Sequence, residues 1–214
     1  MTLDSTDSTE TADLLQRAAG GDQAALNELF SQYRTRLKRM VRLRINRRLQ
    51  ARIDDSDVIQ DAYLEVAKRL PDYVREPQLP FFLWLRHITG LKLIELHRYH
   101  LGTQNRDAKR EISLHRGALP AATSVSLAAQ MLGKLTSPTQ AVVKAEMRVQ
   151  LQEVLNSMEP LDREVLSLRH FEQLNNAETA LELGISESGA SSRYVRALKK
   201  LKGAMSHVPG FNQP

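Results

Sequence analysis

From Asp22 onward, Leu26, Leu29, Phe30, Tyr33, Leu37, Met40 and Val41 recur at three- and four-residue steps, which predicts one long amphipathic helix. A second helix is expected to start with Asp54 or Asp55 as N-cap and acids in its first turn. Its inward positions are Val58, Ile59, Ala62, Tyr63, Val66 and Leu70, and Pro71 predicts its end. A loop containing Pro77 and Pro80 leads into a third helix, from about Phe81 to Tyr99, where Leu85, Ile88, Leu91 or Leu93, and Leu96 can face a core. From Leu101 to about Thr139 the periodicity weakens among Gly102, Gly117, Pro120, Gly133 and Pro138, with one short helix predicted from Ser126 to Leu135. Helical spacing resumes near Ala141 with Val149, Leu151, Val154, Leu155 and Met158, then again with Leu161, Val165, Leu168 and Phe171, Asp162 and Arg163 lying in the opening turn. No stretch reads as a strand of useful length and no repeat is present.

The pattern therefore predicts an all-α protein of two small helical domains joined by a long linker. The expected divisions are a mobile polar tail at 1–10, a first domain at 11–100, a basic linker at 101–140, a second domain at 141–207 and a tail at 208–214. The 214 residues and 42% apolar content are enough for such cores.

Charge changes the picture by its arrangement more than its sum. The net charge of +5 only favours a polyanionic partner. Arg34, Arg36, Lys38, Arg39, Arg42, Arg44, Arg47, Arg48 and Arg52, however, form a run without an intervening acid, and Asp54, Asp55, Asp57 and Asp61 follow at once. A positive face beside a negative one points to two different partners. Absent cysteine excludes disulfides and thiolate metal sites and agrees with a reducing cytoplasm. The acidic, Ser/Thr-rich start is unlike a secretory signal, and the apolar run Phe81–Leu85 is too short for membrane insertion.

The stretch "AETALELGISESGASSRYVRALKKL", Ala177 to Leu201, has the parts of a helix-turn-helix. Asn176 to Leu183 supplies a short first helix, Gly184 a left-handed C-cap, Ile185 a plug between helices and Ser186 the N-cap of a second helix, Glu187 to about Leu201. Gly189, Ala190, Ser191 and Ser192 add little bulk, so that the backbone can lie deep in a major groove, and Arg193 and Arg196 can reach guanine edges or phosphates. The bland alternative is a helical hairpin with a solvated basic face, which is the better reading for Lys199 and Lys200.

In the first domain Tyr73, Phe81, Phe82, Trp84 and Tyr99 alternate with Arg75, Arg86, His87, Lys92 and Arg98. Rings beside cations suit single-stranded bases, and each stacked base returns roughly 1–3 kcal/mol. Opening a duplex takes about 1.4 kcal/mol per step, so a few captured bases would hold a short bubble open. Trp84 reads equally well as a core anchor, and Tyr63 better as core. On the residues alone, Asp54 to Asp61 read better as helix-capping charge than as a partner surface. No nucleophile–base pair, phosphate-cradling glycine loop, metal cluster or cofactor motif is present in the sequence, so no catalytic residue, metal or cofactor is expected.

"DDSDVIQDAYLEVAKRL" (Asp54–Leu70), "FFLWLRHITGLKLIELHR" (Phe81–Arg98) and "PLDREVLSLRHFEQLNNAETALELGISESGASSRYVRALKKL" (Pro160–Leu201) together resemble bacterial RNA polymerase sigma factors of the extracytoplasmic-function (ECF) group. The resemblance covers about Leu14 to Tyr99 and Leu151 to Met205, and it lies in the order and spacing of both halves. It makes the first domain sigma region 2-like and the second sigma region 4-like. It implies that Asp57, Val58, Gln60, Asp61 and Glu65 face the β′ clamp helices of core RNA polymerase, whose β subunit is a further contact. It implies that the loop Asp72–Pro80, with Tyr73, captures a flipped −10 base, and that Trp84, Arg86, His87, Lys92, Glu95 and Arg98 lie on the helix meeting the −10 strand. Ser188, Ser191, Ser192, Arg193, Val195 and Arg196 fall at the −35-reading positions, and the linker would thread toward the RNA exit path. Leu91 stands where many members carry asparagine, and Glu95 where they carry aspartate.

The implied function is promoter-specific transcription initiation in the cytoplasm, with core polymerase and promoter DNA as partners and an anti-sigma factor as a further candidate. The alternatives from other classes are a stand-alone helix-turn-helix regulator binding duplex DNA as a dimer, and an enzyme acting on nucleic acid through a metal held by Asp54 to Asp61.

Overall fold

The computed structural model describes residues 5–45, 49, 53–101, 119–132 and 141–205, and among them every regular element is helical. Arg47, Arg48, Arg52, the basic linker positions Arg106, Lys109, Arg110 and Arg116, and the 208–214 tail lie outside the described residues. The chain divides into two compact units, Met1–Val41 with Ile45–Lys109, and Arg42–Arg44 with Arg110–Pro214.

In the first unit α1 (Ser5–Ala19) begins inside the stretch expected to be a mobile tail. Tertiary burial explains it: Leu14 and Ala18 pack into the unit, where α1 lies on α3 (Asp55–Arg75). Asp22 then caps α2 (Gln23–Arg44), accepting from the amides of Ala24 at 2.9 Å and Ala25 at 3.0 Å. Those amide bonds, the Ala25 one foremost, and the Arg17 guanidinium hold the Asp22 carboxyl below its usual range.

Helix α3 does not stop at Pro71 but continues to Arg75, with Glu76 N donating to Asp72 O at 3.1 Å. Proline in a helix interior normally breaks it because one backbone bond is lost and the ring crowds the preceding turn. Here the extra turn is held from outside: the Tyr73 ring stacks on Trp84, and the Tyr73 hydroxyl donates to Leu79 O at 2.9 Å. Helix α4 (Phe81–Leu101) packs along α3, and the stripe Val58, Ile59, Ala62, Val66 and Leu70 is buried with Leu85, Ile88 and Leu93.

In the second unit α5 (Ser124–Leu132) starts two residues before the predicted short helix, because Thr123 accepts from Ser126 N at 3.1 Å as an N-cap. It is no bare linker: Leu127, Ala128 and Leu132 share a core with Met147, Leu151 and Leu155 of α6 (Ala141–Asn156). α7 (Pro160–Leu166) runs into a wide π turn, Ser167–Phe171, then α8 (Asn176–Leu183) and α9 (Glu187–Met205). The unit also buries Arg44, which donates to Glu172 Oε1 at 3.0 Å and Pro120 O at 2.8 Å and pairs with Glu164. Burial alone would lower the Arg44 pKa, but the carboxylates of Glu172 and Glu164 raise it.

Candidate nucleic-acid interface

The acid-rich start of α3 separates into capping and presenting residues. Asp54 is the N-cap, accepting from Ser56 N at 2.8 Å, and that backbone bond leads the causes holding its carboxyl below the usual range. Lys38 donates to Ser56 Oγ at 2.8 Å beside it. Asp57, Gln60 and Asp61 are exposed on the same helical face as Leu64, which is 53% exposed. Val58 is turned into the core, and Glu65 is half-buried at the α4 side.

Glu65 accepts from Arg69 Nε at 2.5 Å and lies 3.7 Å from Lys92 Nζ, which in turn binds Glu95 at 3.0 Å. The Glu95 bond, followed by the charges of Glu95, Glu65 and Asp61, raises the Lys92 pKa against its partial burial. Lys92 thus remains a cation under every ordinary condition, ringed by acids. Glu95, Arg98 and Tyr99 are exposed farther along α4, and Tyr99 at 83% is, among the described residues, the aromatic ring most open to solvent.

The other rings are occupied with one another. Tyr73 and Trp84 stack at 4.4 Å between centroids, Phe81 stacks on Trp84 at 5.8 Å, and Arg36 sits 3.5 Å over the Phe82 ring. Burial raises the Tyr73 pKa. Trp84 is buried, so in this conformation it is a core anchor. Arg86 is 1% exposed and presents no surface to a strand, whereas His87 is half-buried. The structure therefore brings Glu95 and Arg98 to the surface of α4, leaves Lys92 half-buried among carboxylates, and keeps Trp84 and Arg86 inside. Tyr99, which the sequence placed among the rings beside cations but not among the −10 residues, is the ring of that set that stands open.

The helix-turn-helix is built by local bonds. Asn175 and Glu178 form a capping box on α8, each side chain taking the other's backbone amide at 2.8 Å. Gly184 ends α8 at φ 64°, ψ 37°, and Ile185 N reaches back to Ala180 O at 3.0 Å, a Schellman closure. Asn176 Nδ2 donates to Glu187 O at 2.8 Å, tying the start of α8 to the start of α9. Ser186 accepts from Gly189 N at 3.1 Å, and a Cβ on residue 189 would lie 3.0 Å from that hydroxyl. Gly189 thus leaves room for the cap, and Ala190 is buried in the unit.

Ser188, Ser191, Ser192, Val195 and Arg196 are exposed on α9. Arg193 is not among them: it is half-buried and bound to Asp162 Oδ1 at 2.7 Å and Glu159 Oε2 at 3.1 Å. Those two bonds, Asp162 first, raise its pKa.

Residues 148–201 match the family described as Sigma-70, region 4. Along most of its length the chain is similar to ECF RNA polymerase sigma factor SigD of Mycobacterium tuberculosis, 26% identical over 189 residues, spanning 88% of this chain and 81% of that protein. It is likewise similar to RNA polymerase sigma factor CnrH of Cupriavidus metallidurans, 27% identical over 196 residues, 90% and 92% of the two chains. Over residues 148–201 the chain carries the Sigma-70 region 4 domain, and along most of its length it is similar to proteins named ECF RNA polymerase sigma factors. That domain lies in the second unit, and the chain's role is that of an RNA polymerase sigma factor in transcription initiation. The family is not one of enzymes. A solved structure, CnrH in complex with the cytosolic domain of CnrY, shares the fold with a TM-score of 0.53 at 21% identity, covering 92% of this chain and 97% of that one. Among the described residues of this sigma factor, no helix is long and apolar enough to cross a membrane and no group of three or more acids or histidines could hold a metal.

Proposed function

We propose that this sigma factor docks on core RNA polymerase through the exposed acid face of α3, holds the opened −10 strand along α4, and reads the −35 duplex with α9. The observation that carries the reading is the sorting of charge by exposure. Asp57, Gln60 and Asp61 face solvent around the apolar Leu64, while Lys92, Arg98 and the open ring of Tyr99 lie along the neighbouring helix. A charged rim around an apolar centre suits a protein partner, here the β′ clamp helices with the β subunit as a second contact. Cations with an exposed ring suit an unpaired strand.

On α9, Ser188, Ser191, Ser192, Val195 and Arg196 form the duplex-reading set, Val195 offering an apolar contact to a thymine methyl and Arg196 a cation for a guanine edge. Tyr73, Trp84, Arg86 and His87 support the capture loop rather than grip the strand directly. Val58 anchors α3 so that its acids point outward. The place of action is the cytoplasm, where core polymerase works. An anti-sigma factor is a further partner in this reading, favoured by the solved neighbour having been captured with the cytosolic domain of another protein. The test is reconstitution: the purified chain added to core polymerase must yield transcripts starting at specific promoters, and a chain that never associates with core overturns the reading.

A further inference from the structure

The two arginines of the recognition helix share one carboxylate. Asp162 on α7 is 3% exposed and accepts from Arg193 Nη1 at 2.7 Å and Arg196 Nη1 at 3.2 Å. Glu159 joins them, 3.1 Å from Arg193 and 4.0 Å from Arg196. Glu159 occupies the N-cap position of α7, yet its side chain makes no cap bond and goes to α9 instead.

Helical geometry separates the arginines. At about 100° per residue, Ser188, Ser192, Val195 and Lys199 fall within roughly 60° of one another. Arg196 is turned roughly 70° from their centre and Arg193 roughly 130°. Arg193 thus borders the buried side, next to Ala190 and Ala197, while Arg196 flanks the open face. Arg193, half-buried and hydrogen-bonded to both carboxylates, has its charge largely neutralised and releases little counterion when a phosphate approaches, whereas Arg196, more exposed and hydrogen-bonded to Asp162 alone, keeps charge to offer.

We propose that Asp162 is a positioning residue for DNA reading: with Glu159 it holds Arg193 away from the duplex and sets the reach of Arg196, so that α9 gains sequence selectivity by giving up general phosphate affinity. This rests on α9 reading the −35 duplex. Arg193 then belongs to the scaffold of the recognition helix, and Arg196 alone of the pair reads bases.

The test uses the full chain bound to core polymerase. The probes are a duplex selected by the wild-type protein from a random-sequence pool and a scrambled duplex of the same composition, titrated over a range of salt. Asp162→Asn, which keeps shape and removes charge, is expected to steepen the slope of log affinity against log salt by about one to two. It is also expected to lower the selected-to-scrambled ratio by about tenfold. Asp162→Glu keeps the wild-type slope. Arg193→Gln changes the ratio by less than about threefold, while Arg196→Gln lowers it by tenfold or more.

If Asp162→Asn does not fold, Glu159→Gln at the exposed end of the cluster gives the same steepening in smaller measure. A folded Asp162→Asn with wild-type slope and ratio overturns the proposal, as does Arg193→Gln losing as much selectivity as Arg196→Gln. A wild-type complex that does not distinguish the two duplexes defeats the −35 reading itself, and the proposal with it.

Discussion

Glu65 on α3 and Lys92 on α4 stand 3.7 Å apart, so the helix assigned to the polymerase and the helix assigned to the opened strand meet in one ion pair. The Arg69 hydrogen bond, followed by the charges of Arg69, Lys92 and Lys68, holds the Glu65 carboxyl below its usual range. A carboxylate depressed in the folded state contributes stability above its unfolded pKa and loses it as pH falls through the folded value. Thermal scans of wild type and Glu65→Gln should therefore differ at neutral pH, with the difference shrinking as the pH falls below the ordinary glutamate range and vanishing only below the depressed folded value. Arg98→Ala should weaken binding of a −10 single strand by the polymerase complex and reduce its salt slope by about 0.7, since Arg98 is exposed whereas Lys92 is already paired with Glu65 and Glu95. An unchanged slope would remove Arg98 from the strand contacts.

Trp84 is the one tryptophan of the chain and is packed against Tyr73 and Phe81. Its fluorescence reports directly on whether it leaves that stack. Emission should be blue-shifted in the free chain and change little when a −10 strand is captured. A strong quench would mean that the indole swings out onto a base. Trp84→Ala should destabilise the first unit by about 3–5 kcal/mol, whereas Tyr73→Phe, losing only the bond to Leu79 O, should cost about 0.5–1.5 kcal/mol.

Gly184 holds φ 64° at the turn between α8 and α9. An L-residue with a Cβ is strained there by about 1–2 kcal/mol. Gly184→Ala should lower the melting temperature and weaken duplex binding through the altered angle of α9, and Gly184→Asn should do so less, because asparagine tolerates the left-handed region.

Arg44 is buried with Glu172 in the second unit. Arg44→Ala would take the guanidinium away from the fully buried Glu172 carboxylate and should cost about 3–5 kcal/mol in equilibrium unfolding. Replacing both partners with apolar residues, Arg44→Met with Glu172→Leu, should recover most of that loss. A double variant as unstable as the single one would show that Glu164 and Pro120 O supply the larger share of the arginine's role.

What was legible in the chain was whatever local chemistry dictates. The apolar stripes of α2, α3 and α4, the Asp54 cap, the Gly184 turn and the Ser186 cap all appear where spacing and residue type place them, because each depends on neighbours within one or two turns. The continuation of α3 past Pro71 was not legible, since local rules end a helix there and only the ring of Trp84, eleven residues beyond Tyr73, holds the extra turn. The burial of α5 was obscured by the glycines and prolines around it, which mark a linker unless the partner surface on α6 is known.

On the candidate interfaces the same division holds. Sequence alone settled that the chain is all-helical, that it carries a helix-turn-helix, and which helix bears the acids and which the rings, because these follow from composition and period. Only the tertiary structure decided that Trp84, Arg86 and Val58 point inward, that Tyr99 points outward, and that Arg193 is held by Asp162 from α7. The physical reason is that an arginine or an aromatic ring is equally suited to water, to a ligand or to a buried partner, and its choice depends on residues far away in sequence that supply the carboxylate or the facing ring.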